Sequence, residues 1–317
     1  MKLLKKILCL SAVIAAVWLA ACAVTGVYSA DGALHPARRV LTPADEAQAT
    51  ATVSTDHATL QQASITASDG AVLRAWFIRP ASANGDAVIL LHGQSDNRLG
   101  MLGPAELLLL HGYSVLLPDS RAQGISGGDL ATYGIKEADD IRRWFDWLVQ
   151  TQSPRCIDGL GESMGAAQIL QSLGTERRFY AVVAESPFSS FREASYYRIG
   201  QWFGVGPWLG RTVLRPVVDF GFVYVRWKYG IDLARDDPAQ AVASSQVPVF
   251  LIDGLLDKSL PPQNSETILA ESRGHNNNVV LWEPPDAGHC GAASAEPAEY
   301  ERRVIGWLES HQTPSSQ

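Results

Sequence analysis

The sequence predicts an α/β fold in which a mostly parallel sheet is covered by helices on both faces. Short apolar runs rich in β-branched residues alternate with stretches in which apolar residues recur at the spacing of a helix. Residues 87–91 read Ala-Val-Ile-Leu-Leu between polar neighbours, which is typical of a buried parallel strand. A Gly-x-Ser-x-Gly motif at 161–165 lies between a predicted strand and a predicted helix.

The first predicted elements are a hairpin and a buried strand. Residues 62–68 and 72–78 are predicted strands. Asp69-Gly70, between them, is a hairpin signal. After the strand at 87–91, a Leu-rich helix runs to His111 and is expected to end at Gly112.

The remaining elements continue the alternation of strand and helix. Residues 137–149 place apolar side chains at helical spacing, and residues 166–173 and 297–309 are also predicted helices. The other predicted strands are 113–117, 156–161, 181–184, 247–252 and 279–282.

Composition and charge limit the function classes. The chain has 317 residues, of which 46% are hydrophobic and 19% charged, so a sizeable core is expected. The net charge is −7 and no basic stripe is present, so we expect no nucleic-acid partner. No Cys-x-x-Cys or His-Glu-x-x-His spacing is present, and we predict neither a metal nor a cofactor. Cys156 and Cys290 are predicted to be free thiols.

The N-terminus indicates export. Lys2, Lys5 and Lys6 precede residues 7–28, which carry no charge and are long enough to cross a bilayer as a helix. Residues 19–22, Leu-Ala-Ala-Cys, resemble the lipobox of bacterial lipoproteins. A transmembrane anchor, a lipoprotein and a cleaved signal peptide all fit. Each alternative places the rest of the chain outside the cytoplasmic membrane, in the cell envelope or periplasm, and we expect it to be tethered there.

Five segments follow from these patterns. Residues 1–30 are the signal or anchor segment, and residues 31–58, rich in Ala, Thr and Pro, are a predicted linker. The α/β domain is predicted over 59–312, with a tail at 313–317. An aromatic-rich insertion at about 187–237 interrupts the alternation, and we predict that it forms a helical cap.

Ser163 is the candidate nucleophile. The strand–turn–helix context of its motif places the hydroxyl at the carboxyl edge of the sheet, where the flanking glycines avoid clashes in the turn. The following helix N-terminus presents N–H groups and positive dipole where an oxyanion would develop.

His289 is the candidate base, because a hydroxyl nucleophile needs one. It follows the last predicted strand and precedes the closing helix, in the chain order Ser, acid, His. The other histidines lie in the linker, the tail region, a helix end, a polar loop and a turn: His35, His57, His311, His111, His275 and His92.

The acid is expected between Ser163 and His289 in the sequence. Asp257 follows the strand at 247–252 and a Gly-containing turn, from which it would bond the far imidazole nitrogen. Asp253 and Glu185 are the alternatives.

These motifs resemble the α/β-hydrolase superfamily, and within it the serine aminopeptidase-like and monoacylglycerol-lipase-like branch. The resemblance covers about residues 60–309 except the insertion. It rests on the Ser163 motif, Asp257, Gly288-His289 and two turns, Leu91-His92-Gly93-Gln94 and Asp119-Ser120-Arg121-Ala122-Gln123-Gly124-Ile125-Ser126.

The resemblance implies a Ser163–His289–Asp257 triad and an oxyanion hole formed by backbone N–H groups of Met164 and Gln94. The sequence after His92 lacks a Gly-Gly-Gly run, which leaves Gly93 as an alternative donor to Gln94. The second turn reads Arg-Ala-Gln-Gly where Arg-Gly-x-Gly is usual.

Three functions are compatible with this sequence. The first is a serine hydrolase that cleaves small-molecule carboxylic esters through an acyl-enzyme. The second is a peptidase or amidase of the same fold, in which Glu185 or Glu193 would hold the substrate amine. The third is a non-catalytic scaffold that binds a partner through the aromatic insertion, although all three triad residue types are present.

Overall fold

The computed structural model describes residues 1–55 and 57–312, so the predicted tail lies outside the described residues. The chain divides into two compact units. The helical unit consists of Met1–His35 and Phe191–Arg235, and the sheet unit consists of Pro36–Ser190 and Asp236–Gln317.

An eight-stranded sheet forms the sheet unit, with strand order β1-β2-β4-β3-β5-β6-β7-β8. The strands are β1 Thr59–Thr66, β2 Val72–Arg79, β3 Ala87–Leu91, β4 Ser114–Pro118, β5 Ile157–Glu162, β6 Val182–Glu185, β7 Val249–Ile252 and β8 Val279–Trp282. β2 is antiparallel to both of its neighbours, and every other neighbouring pair is parallel. The predicted hairpin at Asp69-Gly70 and the mostly parallel sheet are confirmed.

Helices cover this sheet on both faces, as predicted. In the sheet unit they are α2 Pro43–Thr55, α3 Leu102–Leu110, α4 Glu137–Thr151, α5 Met164–Ser172, α9 Pro238–Ala243, α10 Gln263–Ser272, α11 Ala292–Ala295 and α12 Pro297–His311. Successive strand residues belong to two different core clusters: Ile89 packs with α4 and α5, and Leu90 packs with α3 and α12. This alternation follows from the two-residue period of a strand.

The segment predicted to be a linker contains a helix. Ala49 and Val53 of α2 are buried and join Leu41 in the cluster that includes α3 and α12. Thr42 and Asp45 cap the start of the helix reciprocally, because each side chain accepts the other's backbone N–H. The apolar face consists of small residues, which is why the sequence shows no apolar period there.

The helical unit contains α1 Lys2–Leu34, α6 Phe191–Trp202, α7 Pro207–Arg211 and α8 Arg215–Tyr229. Among the described residues, α1 is the one helix long and apolar enough to cross a membrane. It extends beyond the predicted anchor at 1–30. The four cysteines of the chain are free thiols, as predicted for Cys156 and Cys290.

Candidate active site

The candidate residues meet at one edge of the sheet because they follow parallel strands. Ser163 comes directly after β5, and Asp257 and His289 lie in the segments after β7 and β8. Gly93 and Gln94 follow β3, which pairs with β5 in the same direction. The carboxyl ends of all these strands therefore face the same way.

Ser163 occupies a strained turn between β5 and α5. Its φ of 53° lies in the left-handed region, which residues other than glycine rarely adopt. Its N–H donates to the carbonyl oxygen of Glu185 on β6 at 2.8 Å, which fixes the turn against the neighbouring strand. Such strain persists where the surrounding structure enforces it, and it is common at catalytic residues.

The glycines of the motif permit close backbone packing. A Cβ on Gly161 would lie 2.5 Å from the carbonyl carbon of Gly165, and a Cβ on Gly165 would lie 2.2 Å from the carbonyl oxygen of Leu91. Both neighbours are backbone atoms, which cannot rotate away. The start of α5 is therefore packed directly on the turn that follows β3.

We expect Gly165→Ala to lower the free energy of unfolding by about 1–3 kcal/mol or more, because the methyl group displaces the turn after β3. Urea unfolding of the full chain measures this change. Gly306→Ala in α12 is the matched control. Apart from its chain neighbours and the nearby backbone of its own helix, no atom of the described residues lies within 4 Å of the added Cβ. Alanine is also favoured over glycine in a helix interior by about 1 kcal/mol. Equal stabilities for the two variants would contradict the packing argument.

His289 connects the other two candidate residues. Its Nδ1 lies 2.6 Å from Oδ2 of Asp257, and its Nε2 lies 2.9 Å from Oγ of Ser163. An ionised carboxylate only accepts hydrogen bonds, so the proton is on Nδ1 and Nε2 accepts from the serine hydroxyl. The arrangement thus contains a hydroxyl, a base within reach of its proton, and a carboxylate that orients the base.

The alternative acids face other partners. Asp253 is completely buried, and its Oδ2 accepts a hydrogen bond from the Ser265 hydroxyl at 2.7 Å. Glu185 accepts the backbone N–H of Ala292 at 2.9 Å. Asp257 is the one of the three whose carboxylate contacts His289 among the hydrogen bonds of the described residues.

Burial and hydrogen bonding give the carboxyls near His289 different pKa values, so they differ in charge. Burial raises the pKa of Asp257, but hydrogen bonds from His289 and from two backbone N–H groups outweigh it and hold that pKa below its ordinary 3.8. Burial raises the pKa of Glu162 to about 8 and that of Glu185 to about 7. Near neutral pH, the Asp257 carboxylate is therefore the main negative charge beside the imidazole.

The raised pKa of Glu185 predicts a pH dependence of stability. Between about pH 4.5 and about pH 7 this group is ionised in the unfolded chain and protonated in the folded one. Unfolding then releases a proton, so stability falls as pH rises through this window. We expect Glu185→Gln, which keeps an acceptor for Ala292, to reduce this fall by up to about 3 kcal/mol.

Urea unfolding across this pH range measures the effect. Glu309→Gln, on an exposed position of α12, is the control for the loss of one carboxyl from the chain. If Glu185→Gln left the pH dependence of stability unaltered, Glu185 would not be the group that releases a proton on unfolding.

The two residues predicted to form the oxyanion hole belong to segments that adjoin Ser163. Met164 is the first residue of α5 and is buried. A Cβ on Gly93 would lie 3.6 Å from the Ser163 Cβ, so the turn after β3 borders the serine directly. Gln94 is the next residue in this turn and is exposed. Its side-chain amide donates to the Tyr133 hydroxyl at 3.0 Å.

Gln123 holds these two segments, and sequence reasoning missed its role. Its Oε1 accepts the backbone N–H of Ser95 at 2.7 Å, and its Nε2 donates to Sδ of Met164 at 3.3 Å. The side chain is completely buried. Its place in the Asp119–Ser126 turn was the available signal. Ala122 in the same turn has a φ of 58°, which explains why glycine is usual there.

The remaining polar candidates have structural partners. His92 is buried, accepts the N–H of Ser120 at Nε2 and bonds the Gly93 carbonyl through Nδ1. Glu193, proposed for an amine site, accepts from Arg211 at 2.6 Å. Within residues 1–55 and 57–312, no group of three His, Cys, Asp or Glu side chains is arranged to hold a metal ion.

Comparisons with known proteins agree with this architecture. The YqkD protein of Bacillus subtilis is 28% identical over 230 residues, which cover 71% of this chain and 72% of that protein. The Pyrococcus furiosus esterase Pf2001 is 27% identical, with a TM-score of 0.69 over 88% of this chain and 98% of that chain.

A second solved structure shares the fold at lower identity. Pyrococcus horikoshii acylaminoacyl peptidase is 16% identical, with a TM-score of 0.61 over 82% of this chain and 43% of that chain. The model of the α/β-hydrolase family matches residues 88–303, which include β4 to β8 and all of β3 except Ala87. The chain therefore belongs to the α/β-hydrolase family.

Proposed function

We propose that this protein is a serine hydrolase that cleaves carboxylic esters of small molecules. The observation that carries the proposal is the pair of contacts made by His289, 2.9 Å to the Ser163 hydroxyl and 2.6 Å to the Asp257 carboxylate. The similarity to the Pyrococcus furiosus esterase, at 27% identity over 88% of this chain, supports an ester substrate.

The first half of the reaction forms an acyl-enzyme. Ser163 Oγ attacks the ester carbonyl carbon while its proton passes to Nε2 of His289, and Asp257 stabilises the resulting imidazolium. Backbone N–H groups at Met164 and in the Gly93–Gln94 turn stabilise the oxyanion. The bond to the alcohol oxygen then breaks, and His289 returns the proton to the departing alcohol.

The second half consumes water. His289 takes a proton from a water molecule as its oxygen attacks the acyl carbon, and the bond to Ser163 Oγ breaks. The carboxylic acid is released and the hydroxyl regains its proton. Burial raises the pKa of Glu162 to about 8 and that of Glu185 to about 7, so below about pH 7 both carboxyls are mainly uncharged and Asp257 is the charged carboxylate beside His289.

The catalytic unit is proposed to be tethered to the cytoplasmic membrane by α1 and to lie outside it. Support comes from the length and apolar composition of this helix and from the three lysines that precede the charge-free run. Lysines of this kind remain on the cytoplasmic side.

A substrate series tests the proposed activity. Nitrophenyl esters of increasing acyl length and the corresponding anilides are compared with the purified full chain. We expect ester turnover to exceed anilide turnover. Faster hydrolysis of the anilides would favour an amidase, and turnover of neither class, together with absent fluorophosphonate labelling, would favour a binding scaffold.

A further inference from the structure

The C-terminal part of α1 is packed against α8 in the helical unit. A Cβ on Gly26 would lie 2.3 Å from the Val217 carbonyl oxygen, and a Cβ on Gly221 would lie 2.9 Å from the Gly26 carbonyl oxygen. Small residues at this crossing allow the two backbones to approach closely. Cys22 and Leu34 are also buried.

A polar cluster joins the two helices further along. Oδ1 of Asp31 accepts hydrogen bonds from the Tyr224 hydroxyl at 2.9 Å, from Lys228 Nζ at 3.1 Å and from the Tyr229 hydroxyl at 2.6 Å. Later residues of α1 thus meet later residues of α8, so the helices run parallel. The start of α8 lies beside the part of α1 that precedes Gly26.

If α1 crosses the bilayer, its contacts with α8 set how deep the start of α8 lies relative to the bilayer. A span needs about 20 apolar residues, and counting from Ile7 it ends at Gly26. The Asp31 cluster then lies about 7.5 Å beyond that boundary, where polar groups are solvated. The residues that precede Arg215, the start of α8, then lie at the edge of the apolar core of the bilayer or slightly inside it.

Those residues form an exposed apolar tip, which we define as residues 202–214. α7 within the tip packs on α6, since a Cβ on Gly210 would lie 2.1 Å from the Tyr196 carbonyl oxygen. The chain then enters α8 at Arg215. Four of its large apolar residues are exposed, by 61% for Trp202, 53% for Phe203, 69% for Trp208 and 49% for Val213.

The charge of the tip complements an anionic lipid surface. Between Glu193 and Asp219 the sequence contains no acidic residue and three arginines, Arg198, Arg211 and Arg215. Arg211 and Arg215 pair with Glu193 and Asp219 through side chains that are 55% and 62% exposed. Exposed ion pairs are weak, so both guanidinium groups are available to phosphates.

We propose that this tip inserts into the membrane leaflet beside the emerging end of α1, and that Arg211 and the adjoining Arg215 bind anionic phospholipids. The inference rests on the membrane tether proposed above. Tryptophan and phenylalanine side chains, together with arginines, are the residues that favour the headgroup level of a bilayer. On α1 itself, Val24 precedes Gly26 and is 60% exposed, so an apolar side chain of this helix is also open to lipid.

Photo-crosslinking of the full chain tests the proposal. The photoreactive p-benzoylphenylalanine replaces Trp208 in one variant and, in the control, Trp227, which is 82% exposed at the opposite end of α8 in the same unit. Both are reconstituted into vesicles of phosphatidylcholine and phosphatidylglycerol. We expect severalfold more phospholipid adduct at position 208. Equal yields, or adducts at 208 mainly with a second copy of the chain, would overturn the proposal.

Charge variants test the arginines in the background of the probe at position 208. Arg211→Gln with Arg215→Gln should lower the adduct yield severalfold, since each arginine near an anionic surface strengthens association about fivefold. Arg226→Gln, at the far end of α8 with a 73% exposed side chain, should not change the yield. An equal yield from the double variant would overturn the role of these arginines.

Alkaline carbonate extraction separates this inference from the tether. Release of the full chain from membranes would refute the tether itself. A chain that resists extraction but gives no lipid adduct at position 208 would refute only the inserted tip.

Discussion

Ser163→Ala is expected to lower ester turnover by about 10⁴-fold or more and to abolish labelling by a fluorophosphonate probe. The variant removes the oxygen that is proposed to form the acyl-enzyme, whereas the turn and its N–H groups remain. We therefore expect the variant to hydrolyse the ester faster than the uncatalysed reaction in water, because substrate binding and oxyanion stabilisation remain.

Two measurements check this result. Burst kinetics with nitrophenyl esters follow acyl-enzyme formation, and mass spectrometry of the probe-treated protein locates the labelled residue. Ser186, which follows β6 at the same sheet edge and accepts the Cys290 N–H at 3.1 Å, is the matched control. Ser186→Ala should keep its labelling. Undiminished labelling of Ser163→Ala would refute the proposed nucleophile.

Asp257→Asn is expected to lower turnover by about 10⁴-fold. An asparagine amide that donates to Nδ1 favours the opposite imidazole tautomer, in which Nε2 carries the proton and no longer accepts one from Ser163. The KM should change much less than kcat, because the carboxylate acts through His289 rather than on the substrate.

Asp253→Asn is the matched control, four residues earlier in the same segment. Burial raises the pKa of Asp253 to about 8, so an uncharged amide is close in shape and charge to the protonated carboxyl. Its hydrogen bond from Ser265 can also be kept. We expect turnover within about tenfold of the unaltered protein. A larger loss for Asp253→Asn than for Asp257→Asn would move the acid to Asp253.

Strong local signals made much of the fold predictable. The strands at 87–91 and 279–282 have the predicted bounds because polar or turn residues flank short apolar runs. The serine turn was recognisable because the two glycines, the strand and the helix are contiguous in sequence. In contrast, α2 was missed because its buried face consists of residues such as Ala49 and Val53.

The roles of individual polar side chains depend on tertiary contacts, which the sequence does not show. Asp253 and Asp257 both follow β7, and their different partners, Ser265 and His289, come from other segments. Gln123 similarly contacts Ser95 and Met164, which are distant in sequence. A local pattern identifies such residues as candidates, and their side-chain directions distinguish between them.

The discontinuous helical unit also constrains the order of folding during synthesis. Its two segments, Met1–His35 and Phe191–Arg235, are separated by 155 residues (36 to 190). Closing a loop of this length costs entropy that only the completed contacts repay. Because synthesis runs from the N-terminus, Asp31 leaves the ribosome long before its hydrogen-bond partners Tyr224 and Tyr229 are synthesised. In the proposed tether, the translocation machinery or the bilayer would hold α1 during that interval. The contacts between α1 and α8 then form only after α8 has been synthesised.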